Sequence, residues 1–582
     1  MFLPKADRIR RLSSRLIRLS AIHKTLQFLC CFALTASSAQ TVQPDDQSRK
    51  ITGTVINSVT QAPIPRALVF SADNRFAMLT DGEGHFEFTP PDNGETGIQG
   101  AIGSRSFRFA GHCAWIRARR PGFLDDCSEP RGSNKSPSDD HTIALIPEAL
   151  IYGRVTLPDN DHLFGTRVQL FLRDVVEGLP RWVQMKTALT NSAGEFRFFD
   201  LRAGDYKLLM HERADDDPVI STTTKSFGYP PVYYPAGADF PSATTIHLDA
   251  GESVEADISA ARQPYYRVTI PISNSDSVSG LNVTVQAQSG PGYSLGYNSA
   301  TKSIEGLLPS GNYVVQASTY GDNAESGTVN VRVNAAPAEG PPISLVPDSS
   351  IIVDVKENFT DKSWEGSATF FGRQRTFTLR GPRTYLNPRI ENVDDLQPMQ
   401  GGFLRPPAGP NDTSLVFENL APGHYWLRLN TSRGYVASAH MGDVDLLRQP
   451  FAVAAGASAP VEIEMRDDTA EIDGMVSGFP SSEGSETQGS GLTVWIYCVP
   501  LPDSAGQFQQ LNASEDGRFT QPTMAPGDYR LLAFGSQQSH LPYRDAEAMK
   551  PYETKGPVVH LTAGQKMSVQ VPLIADSDLP QE

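Results

Sequence analysis

Few residues of this 582-residue chain have the types and spacing that reactions need. The segment Gly292-Tyr293-Ser294-Leu295-Gly296 fits the Gly-x-Ser-x-Gly pattern of serine hydrolases, in which a strained strand-to-helix turn lifts the serine under an oxyanion hole. The residues that follow, Tyr297 to Ser303, are polar and turn-like and show no amphipathic helical period, so a glycine-rich hairpin is expected instead. A zinc hydrolase needs a His-x-x-Glu pair and a distant His, and none of the eleven histidines has a glutamate at that spacing. Neither a phosphate-binding Gly-Lys-Ser/Thr loop nor a Cys-x-x-Cys pair occurs. Asp81 with Glu83, and Asp215, Asp216 and Asp217, offer oxygen ligands for calcium, but outside the spacing of a calcium loop. The expectation is a chain that is not an enzyme, with no metal and no cofactor.

Binding chemistry is better represented. Tyr229, Tyr233 and Tyr234 lie among Pro230, Pro231 and Pro235, which hold the segment extended and resist burial in a central strand. Exposed, such rings would stack on sugar faces; packed, they would cap a sheet edge or fill a joint. Cys113 and Cys127 flank the short stretch Ala114 to Phe123. In an oxidising compartment they would pair and add roughly 3 kcal/mol by loop closure; the alternative is two separate buried thiols. Cys498, in the apolar run Val494 to Tyr497 and beyond, reads as a buried free thiol.

The compartment follows from residues 1–39. Seven Lys and Arg precede the apolar stretch Leu26 to Leu34, and Ser37-Ser38-Ala39 forms a small-residue cleavage site, which is the pattern of a secretory signal peptide. Its removal leaves 43 basic and 65 acidic residues, a formal net charge of −22. Such a surface repels nucleic acid and anionic lipid. No later run is long and apolar enough for a transmembrane helix. The expected location is periplasmic, on the outer cell surface or extracellular.

The elements that would position any site recur along the chain. Ile51-Thr52-Gly53-Thr54-Val55, Ile151-Tyr152-Gly153-Arg154-Val155 and Ile472-Asp473-Gly474-Met475-Val476 alternate like half-buried strands, with a central Gly that lets a neighbouring backbone or ring approach. Each is followed by a polar turn ending in Gly-x-Phe, at Gly84-His85-Phe86, Gly194-Glu195-Phe196 and Gly517-Arg518-Phe519. A third element keeps one spacing in four copies: Leu201 to Gly204 and Tyr206, Leu308 to Gly311 and Tyr313, Leu420 to Gly423 and Tyr425, and Met524 to Gly527 and Tyr529. A Tyr so placed reads as a corner residue, ring in the core and hydroxyl bonded back to the turn. Closing Ala-Gly steps at Ala250-Gly251, Ala455-Gly456 and Ala563-Gly564 precede alternating strands. The prediction is all-β: a tandem array of about five seven-strand transthyretin- or Ig-like β-sandwiches, at 48–147, 148–262, 263–348, 349–467 and 468–577. One short helical turn is expected at Asp443 to Leu447 and one or two at Asp545 to Lys550.

The first interval, with Ile51 to Val55, Ala62-Pro63-Ile64-Pro65-Arg66-Ala67, Thr80-Asp81, Gly84-His85-Phe86 and Arg119-Arg120-Pro121-Gly122-Phe123, resembles the carboxypeptidase regulatory-like domain. That resemblance implies a transthyretin-like sandwich of the carbohydrate-binding-like fold, an accessory without catalytic groups. Tyr229 to Pro235, Gly442 to Asp445, and Tyr543 to Asp545 with Pro551-Tyr552 look like secreted bacterial proteins built from tandem copies of that module. The functional expectation is a rod of sandwiches with a structural or adhesive role, whose partners are other envelope proteins. The alternative is an accessory that binds extracellular polysaccharide; a hydrolase is a remote third.

Overall fold

The structure, a computed structural model, describes residues 51–582 apart from 72–76, 89–115, 125–140, 158–163, 215–225, 274–279, 288–289, 320–323, 365, 372–375, 394–401, 403, 455–457, 479–493, 503, 515, 576–577 and 579–582. The proposed signal peptide, Cys113, Cys127, Asp215 to Asp217 and the Ala455-Gly456 step lie outside the described residues. Arg49–Glu582 form one compact unit. The fold is all-β: among the described residues the helical pieces are two short 3-10 turns, Gly381–Thr384 and Lys550–Tyr552. The turn expected at Asp443 to Leu447 is instead a strand pair, Val444–Asp445 against His440 and Met441, and the chain from Asp545 makes turns that end in the second 3-10 piece.

The sequence repeats become one wiring scheme. Within each interval the first strand lies between an antiparallel partner and a parallel strand near the interval's end; this is the last strand except in 263–348, where a final strand, Val346–Pro347, pairs antiparallel with Glu325–Val333. Ile51–Asn57 pairs antiparallel with His85–Phe88 and parallel with His141–Leu145. Ala149–Thr156 sits likewise between Glu195–Leu201 and the short strands Ser253–Glu255 and Ile258–Ser259. Gln263–Ser273 and Ser349–Asn358, which lack the Ile-x-Gly-x-Val opening, occupy the same place in their intervals. Ala470–Ser477 does so between Arg518–Met524 and Lys566–Ile574.

Two of the sequence elements meet across the antiparallel pair. Gly53 stands opposite Phe86, Gly153 opposite Phe196 and Gly474 opposite Phe519. A ring laid over the facing strand needs the volume that a missing Cβ leaves. A Cβ on Gly474 would come within 2.1 Å of the Phe519 ring, and one on Gly153 within 2.3 Å of the Ala256 carbonyl oxygen and 3.1 Å of the Phe196 ring. The next turn is fastened identically in the three copies. Val55, Val155 and Val476 donate their amides to the carbonyls of Gly84, Gly194 and Gly517 at 2.8, 2.9 and 2.9 Å. Those three glycines have φ of 78°, 72° and 78°, the left-handed region where a side chain is strained.

A second sheet covers the first, and the core lies between them. In 148–262 the cluster combines Ile151, Val155 and Phe196 of one sheet with Leu170, Tyr206 and Leu208 of the other, all at most 3% exposed. In 468–577, Ile472 and Phe519 meet Ile496, Tyr529 and Leu531 in the same way, and the sheets join where Ala533 and Phe534 pair with Leu573 and Ile574. Full burial of each such aliphatic side chain contributes about 1.5–3 kcal/mol. The four corner tyrosines all donate to the carbonyl four residues back: Tyr206 to Arg202 at 2.8 Å, Tyr313 to Pro309 at 2.9 Å, Tyr425 to Ala421 at 2.8 Å and Tyr529 to Ala525 at 2.7 Å. Each buried hydroxyl thus satisfies a carbonyl as the chain crosses between strands.

The glycine–phenylalanine pair makes a direct prediction. Gly474→Ala is expected to lower unfolding stability by about 1–3 kcal/mol, the usual cost of overpacking, in chemical denaturation. Gly82→Ala, where an added Cβ meets nothing within 4 Å, is expected to stay near wild type. Equal losses in both variants would show that ring clearance is not what Gly474 supplies.

Candidate functional site

Of the two readings open for Tyr229, Tyr233 and Tyr234, a sugar platform or a packed cap, Tyr233 takes the packed one. Tyr233 is 1% exposed, in a cluster with Phe171, Leu209 and Ala243, and its ring meets Phe240 edge-on at 5.8 Å. Tyr229 and Tyr234 are half-buried against the core of 148–262. Pro231 and Pro235 flank the strand Val232–Tyr233 and keep it to two residues. Beside Tyr233, a feature without a sequence signal appears. Lys207 is 6% exposed, with its ammonium 5.0 Å from the Trp182 ring and 4.8 Å from the Phe240 ring, donating to the Phe240 carbonyl at 2.8 Å. Desolvation lowers its pKa, and the cage of rings already holds its cation.

The Gly-x-Ser-x-Gly segment joins two strands, Gly290–Tyr293 and Gly296–Asn298, so no helix follows Ser294. Its hydroxyl and amide both donate to Glu212 Oε1, at 2.8 and 2.5 Å. Burial pushes the Glu212 carboxyl up to about 7, although the bonds from Ser294 oppose the shift. Neighbouring His211 is driven down to about 4, first by burial and then by the charge of Arg167. Asp81 is also in use within its turn: Oδ1 accepts from the amides of Glu83 and His85 at 2.9 and 2.8 Å. Those bonds hold its pKa below the ordinary value. Among the described residues no group of three or more His, Cys, Asp or Glu is arranged to hold a metal ion. Cys498 is buried and free, its thiol pushed up to about 12 by desolvation.

The structure brings together a site the linear sequence does not show. The long hairpin Arg167–Val176 and Leu179–Leu189 ends in a tight turn at Glu177 and Gly178, both with positive φ. That tip meets residues more than 300 positions later. The Arg544 amide donates to the Gly178 carbonyl at 3.0 Å. A Cβ on Gly178 would come within 2.7 Å of the Tyr543 ring, which stacks on Phe508 at 3.8 Å. Alongside, Asp174 bridges Arg202 at 2.9 Å and His540 at 2.7 Å. Burial alone would raise the Asp174 pKa, but the His540 hydrogen bond and the Arg202 charge outweigh it and hold the carboxyl at about 2. From the other side Gln507 donates to the Val436 carbonyl at 2.8 Å and Arg448 to Ser504 at 3.2 Å. These contacts are not ones that the expected rod of sandwiches specifies. Chain from 148–262, 349–467 and 468–577 converges.

At this junction lies a cavity of about 1010 Å³, lined by Glu177 and Leu179, by Trp426 and Arg428, and by Tyr543 and Arg544 among others. Arg428 is 6% exposed. Desolvation, and after it the charge of Arg428, lowers the pKa of both Arg181 and Arg544. An arginine cluster in an acidic chain is the most distinctive polar feature among the described residues.

No family model matches the chain, and no curated protein does. Solved structures give remote matches. The Bacillus anthracis TIE protein is 10% identical, with 70% of this chain and 68% of that one covered and a TM-score of 0.14. BcpA, the major pilin subunit of Bacillus cereus, is 9% identical over 73% of this chain and 99% of its own, with a TM-score of 0.12. The Streptococcal ancillary pilin is 10% identical over 53% and 98%, with a TM-score of 0.16. At such scores no function carries across. No helix among the described residues is long and apolar enough to cross a membrane.

Two measurements follow from these sites. Glu212 has a folded pKa raised from an ordinary 4.5 to about 7, so its stabilising contribution is complete below about 4.5 and lost as pH rises through 7. Thermal melts are expected to show wild-type stability falling over that window more steeply than in Glu212→Gln; parallel profiles would rule this out. At the junction, hydrogen exchange is expected to find the Arg544 amide protected in the wild type and exposed in Tyr543→Ala.

Proposed function

We propose that the chain is a non-enzymatic secreted or cell-envelope protein with a structural and adhesive role, its partners being other envelope proteins. The observation that carries this reading is that in all five intervals the first strand pairs parallel with a strand near the interval's end, which in four of them is the last strand. Parallel neighbours place the points where the chain enters and leaves a sandwich at opposite ends. Tension applied through the chain then loads that ladder in shear, so its hydrogen bonds must break together instead of one at a time. The residues that recur along the sequence serve this scaffold: Gly opposite Phe, Gly in the turns, Tyr at the corners. The signal-peptide reading of 1–39 and the acidic surface agree with export.

The polysaccharide-accessory alternative asks for exposed ring faces, and of its three tyrosines Tyr233 is buried while Tyr229 and Tyr234 are half-buried. The five-sandwich division at the stated boundaries remains part of the proposal. One qualification concerns 262/263: Ser226–Tyr229 pairs with Gln263 to Tyr265, so the sheet of 263–348 is extended by strands from the preceding interval. Such a shared sheet stiffens the joint.

Single-molecule stretching tests the proposal. Several separate rips are expected, each freeing about 100 residues, or roughly 350 Å of chain at about 3.5 Å per residue. One rip running the length of the chain, or featureless extension at low force, would refute the load-bearing role.

A further inference from the structure

We infer that the outer face of one sheet in 263–348 is a contact surface for a second copy of this chain. The inference names a partner for the adhesive role proposed above and rests on that reading. Three strands build the face: Asn282–Ala287, Gly311–Ser318 and Glu325–Val333. Their alternation sends Val285, Tyr313, Val315 and Val331 into the core and the intervening residues outward. Two cross-strand rows result, Thr284 beside Gln316 and Thr328, and Gln286 beside Val314 and Asn330. Val314, at the centre, is 41% exposed. The hydroxyls and amides of the other five bond no other described residue.

These rows carry no charge, and other outer faces do. The outer face of 148–262 sets Arg154 against Glu195, and that of 349–467 sets Asp354 and Lys356 beside Glu462 and Glu464. Even the other sheet of 263–348 sets Arg267 against Glu305 at 3.2 Å. In the three strands the charged residues stand at the ends: Glu325, and Arg332, whose Nε donates to Asn334 Oδ1 at 2.9 Å. Asp348 flanks one corner, half-buried beside Ser326. With 1–39 removed the chain has a formal net charge of −22, so copies repel wherever their charged faces meet. An uncharged face is where two of them approach at least cost. Asn, Gln and Thr side chains each donate and accept, so a face built of them is complementary to itself under a two-fold rotation. A charged partner would lose hydration there and gain no counter-charge. At about 3.4 Å per residue and 4.8 Å between strands the face covers roughly 400–500 Å² per copy. That is the low end of specific contacts, so pairing is weak and reversible, and many copies side by side supply avidity.

Sedimentation velocity on the full chain, from about 10 to about 300 µM, tests the pairing, and the dimer fraction is expected to rise over that range. Val314→Glu sets like charges at the centre of the contact and is expected to weaken association by about tenfold or more; Gln316→Glu should do the same. Ile352→Glu makes the same charge change on the outer face of 349–467, where Ile352 is 53% exposed, and is expected to leave association unchanged. Raising salt from about 0.05 to about 0.5 M is expected to strengthen pairing by screening the repulsion between acidic copies. Melting curves establish which variants fold. A chain still monomeric at about 300 µM, equal weakening in Ile352→Glu, weakening by salt, or unchanged association in a folded face variant would each overturn the pairing. So would capture of the wild type, and not of Val314→Glu, on a neutral β-glucan, which would give the face to polysaccharide. Stretching reports the structural role separately, so monomers that still unfold in separate rips refute this contact and leave that role standing.

Discussion

A phenyl ring pressed across a neighbouring strand needs room, and in three of the five intervals that room is a glycine directly opposite. Gly53–Phe86, Gly153–Phe196 and Gly474–Phe519 fix the register of the first strand against its antiparallel partner. A slip of one residue would turn the ring to the wrong face. Everything downstream inherits that register. The valine two places on reaches the turn glycine, the turn starts the strand toward the corner, and the corner tyrosine enters the second sheet at its proper height. In 263–348 the corresponding strand pair sets Gly306 of the partner strand opposite Val268.

The first strand is central because a strand near the interval's end closes on its other edge. This parallel closure lets sandwiches follow one another, yet it does not set their angles. Those come from side contacts: the shared sheet at Ser226 and Tyr265, the bonds of Ser294 to Glu212, and the hairpin tip at Gly178 against Tyr543. The third contact folds the chain back on itself and encloses the arginine cluster. There the Arg428 guanidinium is compensated by Glu391 through Nε and lies 5.5 Å from the Trp426 ring.

Much of the fold was legible in the residues themselves, because its rules are local. Alternation marks a strand, Gly-x-Phe after a polar turn marks a hairpin, and Leu-x-x-Gly-x-Tyr marks a corner whose hydroxyl returns four residues. The openings missing from 263–348 and 349–467 were not legible, since their first strands hold position through long-range pairing instead of a motif. The misread short helix at Asp443 shows the same limit. Its polar run suits a turn or a strand end equally, and the pairing of Val444 with Met441 decided it.

The candidate sites divide along the same line. Composition and spacing alone determined the all-β class, the repeated wiring elements, the acidic surface and the absence from the sequence of a His-x-x-Glu zinc motif, since each depends on residues near one another in the chain. Whether a tyrosine offers its face or its edge depends on what covers it, and Tyr233 is covered by Phe240. The meeting of Gly178 with Tyr543, and the burial of Arg428 with two donors unpartnered, join residues separated by scores to hundreds of positions. Sequence periodicity carries no term for such encounters, because chain entropy sets no preference among distant partners until packing selects one.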